Sequence, residues 1–277
     1  MQRLQIGPIE LRIHRCVGLE AWLKPLLPYH GTWSSVPTRL TWDFHVNINT
    51  SKPPLARGEH FVFERHQLYF EADEQQRTSH LYTQGEEADF LAGLELTLSL
   101  ACEQLGGLSI HGAAGAVNAC GYLMPGVSGT GKSTAARNAG FECVVGDERV
   151  LLIPNDGDWL MFSTPFWSAG RSQCPDRIFH VLDVVLQLDQ SERMKISTST
   201  RLNSLEWLLR SVVYYGTDTI KREQQLERAI QVVESAQHFR LGFTKKGPWA
   251  WTLNQMHFNC LSTKCEQSIS QSTFTGI

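Results

Sequence analysis

A glycine-rich segment carries the clearest chemistry in this sequence. Gly126–Ser133 (GVSGTGKS) matches the pattern G-x-x-x-x-G-K-[ST] completely, and Thr134 follows it. Glycines let the backbone approach phosphate oxygens without a clash at Cβ, and the N–H groups of the loop and the first helical turn can then bind the anion. The segment therefore predicts a site for a nucleoside triphosphate, since a turn that only caps a helix would not need a Lys–Ser pair.

Two side chains of this segment have distinct expected roles. Lys132 should reach the β- and γ-phosphates, and the hydroxyl of Ser133 should hold Mg²⁺. The expected ligands are thus ATP and Mg²⁺. The candidate ATP-binding residues are Gly126, Val127, Ser128, Gly129, Thr130, Gly131, Lys132, Ser133 and Thr134.

An acidic pair follows the glycine-rich segment closely. Asp147 and Glu148 come after an apolar stretch, and Asp147 is fifteen residues beyond Lys132 (147 − 132 = 15). A short helix ending at Gly140 is expected to return the next strand directly beside the strand that precedes the loop. Both carboxylates would then lie at the loop end of the sheet, where a carboxylate can bind Mg²⁺ or accept a proton from an attacking hydroxyl. A solvated turn is the alternative interpretation.

His111 is a weaker candidate on spacing alone. It ends an apolar strand pattern that begins at Leu108, just before Gly112. A single histidine beside apolar residues is more often a hydrogen-bonded core residue than a catalytic one. Both interpretations stay open at this point.

The periodicity of the chain predicts a mixed α/β protein. Residues 1–85 alternate apolar and polar residues as half-buried strands do, and residues 86–105 have the three- and four-residue spacing of a helix. From residue 108 short strands and helices alternate, including one long strand over 178–188 and a helix over 200–214. We expect a β-rich N-terminal region over 1–105, a nucleotide-binding domain over 106–258 and a polar tail over 259–277.

Composition excludes some classes of protein. The 277 residues include 25 Lys+Arg and 28 Asp+Glu, and a formal charge of −3 argues against a nucleic-acid partner. The best apolar run, over 91–105, contains five polar residues and is too short for a membrane span. The N-terminus lacks the apolar region of a signal peptide, and the seven scattered cysteines are typical of reduced thiols, so a cytoplasmic location is expected.

Three motifs together resemble the HPr kinase/phosphorylase family and related serine kinases. They are the His-Gly step in Ser109–Gly112, the loop Gly126–Thr134 and the acidic pair in Val145–Val150, in the family's order. The resemblance covers roughly residues 106–255. It implies a phosphoenolpyruvate-carboxykinase-like P-loop fold and ATP-dependent phosphorylation of a serine hydroxyl. It further implies that Asp147 is the base toward the serine and that His111 tunes this acid. Glu148 is the candidate metal ligand beside Ser133, because a carboxylate at this end of the sheet can bind Mg²⁺.

Departures from the family pattern narrow this expectation. The chain has Asp147-Glu148 where the bifunctional members have two Asp residues, and no segment matches their Glu-x-Arg-Gly-x-Gly motif. The phosphorolysis reaction and the hexamer of those members are therefore not carried over, and a homo-oligomer is left open. We expect a serine kinase that acts on a peptide or small protein, with tailoring of a ribosomally made (lasso) peptide as the sharper version. The alternatives are a nucleotide-dependent regulatory switch and a small-molecule kinase.

Overall fold

The architecture is mixed α/β, with two β-sheets and a long helix between them. The structure is a computed structural model and describes residues 1–14, 19–23, 26, 38–49, 61–167, 179–215 and 218–244. The predicted polar tail, residues 259–277, lies outside the described residues. No helix among these ranges is long and apolar enough to cross a membrane.

The first sheet has six strands and contains most of the N-terminal region. Its order is β1-β2-β3-β6-β5-β4. Alternation along each strand puts one face in the core; in β3, for example, Trp42 and Phe44 are buried whereas His45 is half-buried on the other face. The elements of this region are β1 (Gln2–Ile6), β2 (Ile9–His14), α1 (Glu20–Leu23), β3 (Leu40–Ile48), β4 (Phe61–Arg65), β5 (Leu68–Asp73) and β6 (Thr78–Thr83).

The long helix α2 (Glu87–Gln104) confirms the helix predicted over 86–105. It buries Phe90, Leu94 and Leu98 and packs on β3 and β6 on one side and on two strands of the second sheet, Leu108–Val117 and Arg149–Asn155, on the other. Gly107 follows its end at a close approach, because a Cβ there would lie 2.5 Å from the carbonyl oxygen of Leu152. The helix thus fastens the two sheets together.

The second sheet has nine strands, in the order β12-β11-β10-β7-β8-β13-β15-β14, with β9 also paired to β7. The strands β8, β13 and β15 are parallel, and β7 is antiparallel to β8, β9 and β10. The remaining elements are β7 (Leu108–Val117), β8 (Cys120–Pro125), α3 (Lys132–Asn138), β9 (Cys143–Gly146), β10 (Arg149–Asn155), β11 (Asp158–Ser163), β12 (Phe179–Val181), β13 (Val184–Gln190), β14 (Lys195–Thr198), α4 (Arg201–Leu209), α5 (Thr219–Ser235) and β15 (Gln237–Phe243).

The apolar core is continuous across the expected boundary at residues 105 and 106. Leu151, Ile153 and Phe162, from the second sheet, belong to the same buried cluster as the inner face of the first sheet and α2. The division into domains stays a prediction, and the site described below uses residues from both sides of it.

Two predicted elements have different limits in the structure. The strand predicted over 178–188 is two strands, because the chain changes neighbour between them: the N–H of Leu182 still donates to Trp159 in β11 at 2.8 Å, whereas Asp183 exchanges hydrogen bonds with Gly121 in β8. The helix predicted over 200–214 ends at Leu209, because the chain beyond it pairs with β7: the N–H of Val213 donates to the carbonyl oxygen of Ser109 at 2.8 Å.

Candidate functional site

The glycine-rich loop joins β8 to α3, as the motif requires. Gly129 and Gly131 have φ of +86° and +97°, a conformation that favours glycine. Inside the loop, the N–H of Thr130 and its hydroxyl both donate to the carbonyl oxygen of Val127, at 3.3 and 2.9 Å. The amide of Gln190, at the end of the parallel strand β13, donates to the carbonyl oxygen of Gly129 at 2.9 Å. The loop is therefore held by its own bonds and by the end of a neighbouring strand.

Lys132 begins α3 and folds back over the loop. Its side chain is only 5% exposed, and Nζ donates to the carbonyl oxygen of Val127 at 2.8 Å. Burial lowers the pKa of Lys132, the negative charge of Glu148 raises it, and the guanidinium of Arg149 lowers it again. This lysine is thus a buried cation at the loop, close enough to Glu148 to interact with it electrostatically.

The His-Gly step of β7 connects the loop to the acidic pair. Gly112 is paired with Pro125 at the end of β8, and the N–H of Gly126 donates to the carbonyl oxygen of His111 at 3.2 Å. On the other edge, the N–H of Gly112 donates to the carbonyl oxygen of Glu148 at 3.1 Å. The His-Gly step is therefore joined by backbone hydrogen bonds to the glycine-rich loop on one side and to the acidic pair on the other.

The route by which the acidic pair reaches this position differs from the sequence expectation. We expected β9 to lie directly beside β8, which is wrong: β7 lies between them and is paired with both. The strands β9 and β10 run in one direction along β7, and Asp147 and Glu148 interrupt them. Because β7 is antiparallel to both β8 and β9, these two strands run in the same direction, with β7 between them.

His111 contacts Glu148 in this arrangement. Its Nε2 lies 3.1 Å from Oε1 of Glu148, a close ion pair when the imidazole is protonated, although it is not aligned as a hydrogen bond. Burial lowers the pKa of His111, and the Lys132 charge lowers it further, whereas Glu148 opposes both. The neutral imidazole is therefore favoured.

Asp147, the base implied by the resemblance, is 3% exposed in the same turn. The structure thus places Asp147, Glu148, His111 and Lys132 around one end of the sheet. It pairs His111 with Glu148, whereas the resemblance implied an action of His111 on Asp147. The catalytic and metal-binding roles of these residues stay predictions.

Arg149, Glu95 and Tyr215 extend this group and were missed in the sequence. Arg149 is directly opposite His111 in the ladder of β7 and β10, and its Nη2 forms an ion pair with Oε1 of Glu95 in α2. The same carboxylate oxygen accepts the hydroxyl of Tyr215 at 2.7 Å. Burial and the adjacent Glu95 raise the pKa of Tyr215, so its hydroxyl stays a donor. The sequence offered one indication of this group, because Glu95 is a charged residue in the middle of an apolar stretch of α2.

The residues present fit a triphosphate and a magnesium ion. A Cβ on Gly126 would lie 2.7 Å from Oγ1 of Thr130, so the loop packs on itself there, whereas nothing lies within 4 Å of the Cβ position of Gly129 and the backbone is open to a ligand at that point. The described residues contain no cluster of three or more His, Cys, Asp or Glu side chains that could hold a metal. Mg²⁺ usually takes one or two protein ligands together with substrate phosphates and water, a donor set that Ser133 and Glu148 can supply.

Comparisons with known proteins give only distant structural likenesses. No protein-family model matches the sequence, and no curated protein matches it. Among solved structures, the Hpr(Ser) kinase/phosphatase from Coxiella burnetii is 14% identical, with a TM-score of 0.38, over 61% of this chain and 99% of that one. A likeness at this level assigns neither an activity nor a residue role to this chain.

Proposed function

We propose that this chain is an ATP- and Mg²⁺-dependent kinase that phosphorylates a serine hydroxyl of a peptide or small protein. The observation that carries the proposal is the convergence of the glycine-rich loop, Lys132 and the acidic pair on the His111-Gly112 step. A kinase needs a cation at the phosphates and a carboxylate near the attacking hydroxyl, and both are held at one end of the sheet. The sequence resemblance supports a P-loop core of the phosphoenolpyruvate-carboxykinase-like type.

The chemistry assigns each side chain one task. The loop N–H groups and Lys132 bind the phosphates, and Lys132 stabilises the charge that develops as the bond between the γ-phosphorus and its bridging oxygen breaks. Asp147 accepts the proton of the serine hydroxyl as its oxygen bonds to that phosphorus, and ADP leaves. Mg²⁺, when bound, neutralises phosphate charge. Glu148 and Ser133 would hold it, with the His111 ring packed against the Glu148 carboxylate.

This assignment makes His111 a positioning residue rather than a base. Substituting His111→Ala should lower the rate of phosphoryl transfer by about ten- to a thousandfold, less than the loss of the base, and should hardly change ATP affinity. Because His111 is proposed to act through Glu148, the variant should also need more Mg²⁺ for half-maximal rate. An unchanged Mg²⁺ requirement would contradict the positioning role.

The function itself is tested with a library of synthetic peptides, each with one serine. After incubation with Mg²⁺ and ATP, mass spectrometry should find peptides that have gained one phosphoryl group on serine. Versions of these peptides with alanine at that position should stay unmodified. Phosphate released to water without any modified peptide would support the regulatory-switch alternative instead. Tailoring of a lasso-peptide precursor is the sharper version, and it rests on the sequence resemblance.

A further inference from the structure

A cavity of about 420 Å³ lies between α2 and the hairpin formed by β4 and β5. Its apolar floor includes Leu68 and Leu96, both nearly completely buried, and Phe63 and Tyr215 meet edge to face on its wall with ring centroids 6.0 Å apart. The volume is within the range of ligand-binding sites in proteins. An apolar floor with an aromatic wall suits the side chain of an aliphatic or aromatic residue.

One wall of this cavity is bonded to Arg149, which adjoins the candidate site. Glu95 and Tyr215 line the cavity, and both are bonded through Oε1 of Glu95 to Arg149. Arg149 follows Glu148 in the chain and faces His111 across the strand ladder. The wall of the cavity is therefore joined through Arg149 to the group proposed to carry out the transfer.

The charged side chains around the cavity differ in whether they are bonded to other groups of the protein. Glu95 is paired with Arg149, and Oδ2 of Asp89 accepts the hydroxyl of Thr83 at 2.6 Å in the first turn of α2, where the helix dipole favours a negative charge. Arg65 is exposed at the rim and forms no ion pair within the described part of the chain. The exposed charge on the hairpin side of the rim is therefore positive, whereas Asp89 is half-buried on the α2 side.

We infer that this cavity docks the acceptor, and that the acceptor carries an aliphatic or aromatic residue with an acidic residue beside it. The apolar side chain occupies the floor, and the acidic side chain pairs with Arg65. The inference rests on the proposed function for the identity of the acceptor as the serine-bearing peptide. The proposed kinase function does not itself depend on this cavity.

Two variants test the docking surface by peptide binding, which requires no phosphoryl transfer. The probes are two fluorescein-labelled pools of synthetic peptides, each peptide with one serine and one Leu or Phe, flanked by Glu in one pool and by Lys in the other. Fluorescence anisotropy should show tighter binding of the Glu pool. Arg65→Glu should weaken it by about 1.5- to fivefold, as expected for an exposed charge pair. Ala92→Phe, which fills the cavity from α2, should remove binding.

The control is Arg3→Glu, which makes the same change of charge. Arg3 is exposed in β1, at the opposite edge of the six-stranded sheet from β4, and its variant should bind the Glu pool as the unaltered protein does. Equal binding of the two pools, or equal effects of the Arg65 and Arg3 variants, would overturn the inference. Because Arg65 is exposed, its variant keeps the test valid if Ala92→Phe fails to fold. Serine phosphorylation without any Glu preference would overturn the docking surface and leave the kinase proposal intact.

Discussion

Substitution of Gly131 by alanine tests the geometry of the glycine-rich loop directly. Gly131 has φ of +97°, and a Cβ built on it would lie 2.2 Å from Cζ of Phe243 and 3.0 Å from Cε2. The left-handed conformation costs a non-glycine residue about 1–2 kcal/mol, and overpacking of a buried ring costs about 1–3 kcal/mol. We therefore expect Gly131→Ala to lower the free energy of unfolding by about 2–5 kcal/mol.

Gly129 provides a matched control in the same loop. Its φ is +86°, but nothing lies within 4 Å of its Cβ position, so Gly129→Ala should cost only the conformational part, about 1–2 kcal/mol. A second control removes the ring. Leucine has none of the three ring atoms closest to the new methyl group, so in a Phe243→Leu background Gly131→Ala should also cost only about 1–2 kcal/mol.

Urea denaturation of the four proteins in this cycle, without nucleotide, measures the coupling between positions 131 and 243. The expected coupling is about 1–3 kcal/mol, the part of the cost that the clash supplies. An equal cost of Gly131→Ala in both backgrounds would refute the reasoning, as would equal costs of Gly131→Ala and Gly129→Ala. Either result would mean that Phe243 does not pack against the loop.

Three further predictions concern the charged groups. Lys132→Ala should lower the rate of phosphoryl transfer by about 10²–10³ and weaken ATP binding less, because the loop amides remain; steady-state kinetics and calorimetric titration separate the two effects. Glu148→Gln should raise the Mg²⁺ concentration needed for half-maximal rate, whereas Asp147→Asn should lower the rate at saturating Mg²⁺ by about 10²–10⁴; identical Mg²⁺ titrations of Glu148→Gln and the unaltered protein would contradict this division. Burial lowers the pKa of His45 and His80 below 6.5, so the folded form binds fewer protons than the unfolded form just below that pH. The free energy of unfolding should therefore fall as pH drops through 6.5, and His80→Gln should flatten that dependence in urea titrations.

The helices and the glycine-rich loop could be predicted from short stretches of sequence. The spacing of apolar residues gave the helix Glu87–Gln104, and the glycines and lysine gave a loop at the end of β8 that leads into α3. Both depend on residues close together in the chain. The type and order of these elements were therefore predictable.

Strand partners and distant side chains were not predictable in the same way. The residue pattern of a strand shows which of its faces is buried but does not identify the strand that pairs with it. The position of β7 between β8 and β9 was therefore missed. Tyr215 and Glu95 are separated by 120 residues, and only the packing of α2 against the second sheet brings them to Arg149. The partner of His111 was missed for a related reason, because the turn at Asp147 and Glu148 decides which carboxylate faces the imidazole.

The most direct test of the central proposal is the stoichiometry of the reaction. With Mg²⁺, [γ-³²P]ATP and a serine peptide found in the library, ADP and phosphoserine should form in equal amounts, and little ADP should form without the peptide. The Lys132→Ala protein, shown to be folded by circular dichroism, should transfer almost no label. ADP and free phosphate formed equally with and without peptide would contradict a kinase, and undiminished transfer by Lys132→Ala would contradict the assigned site.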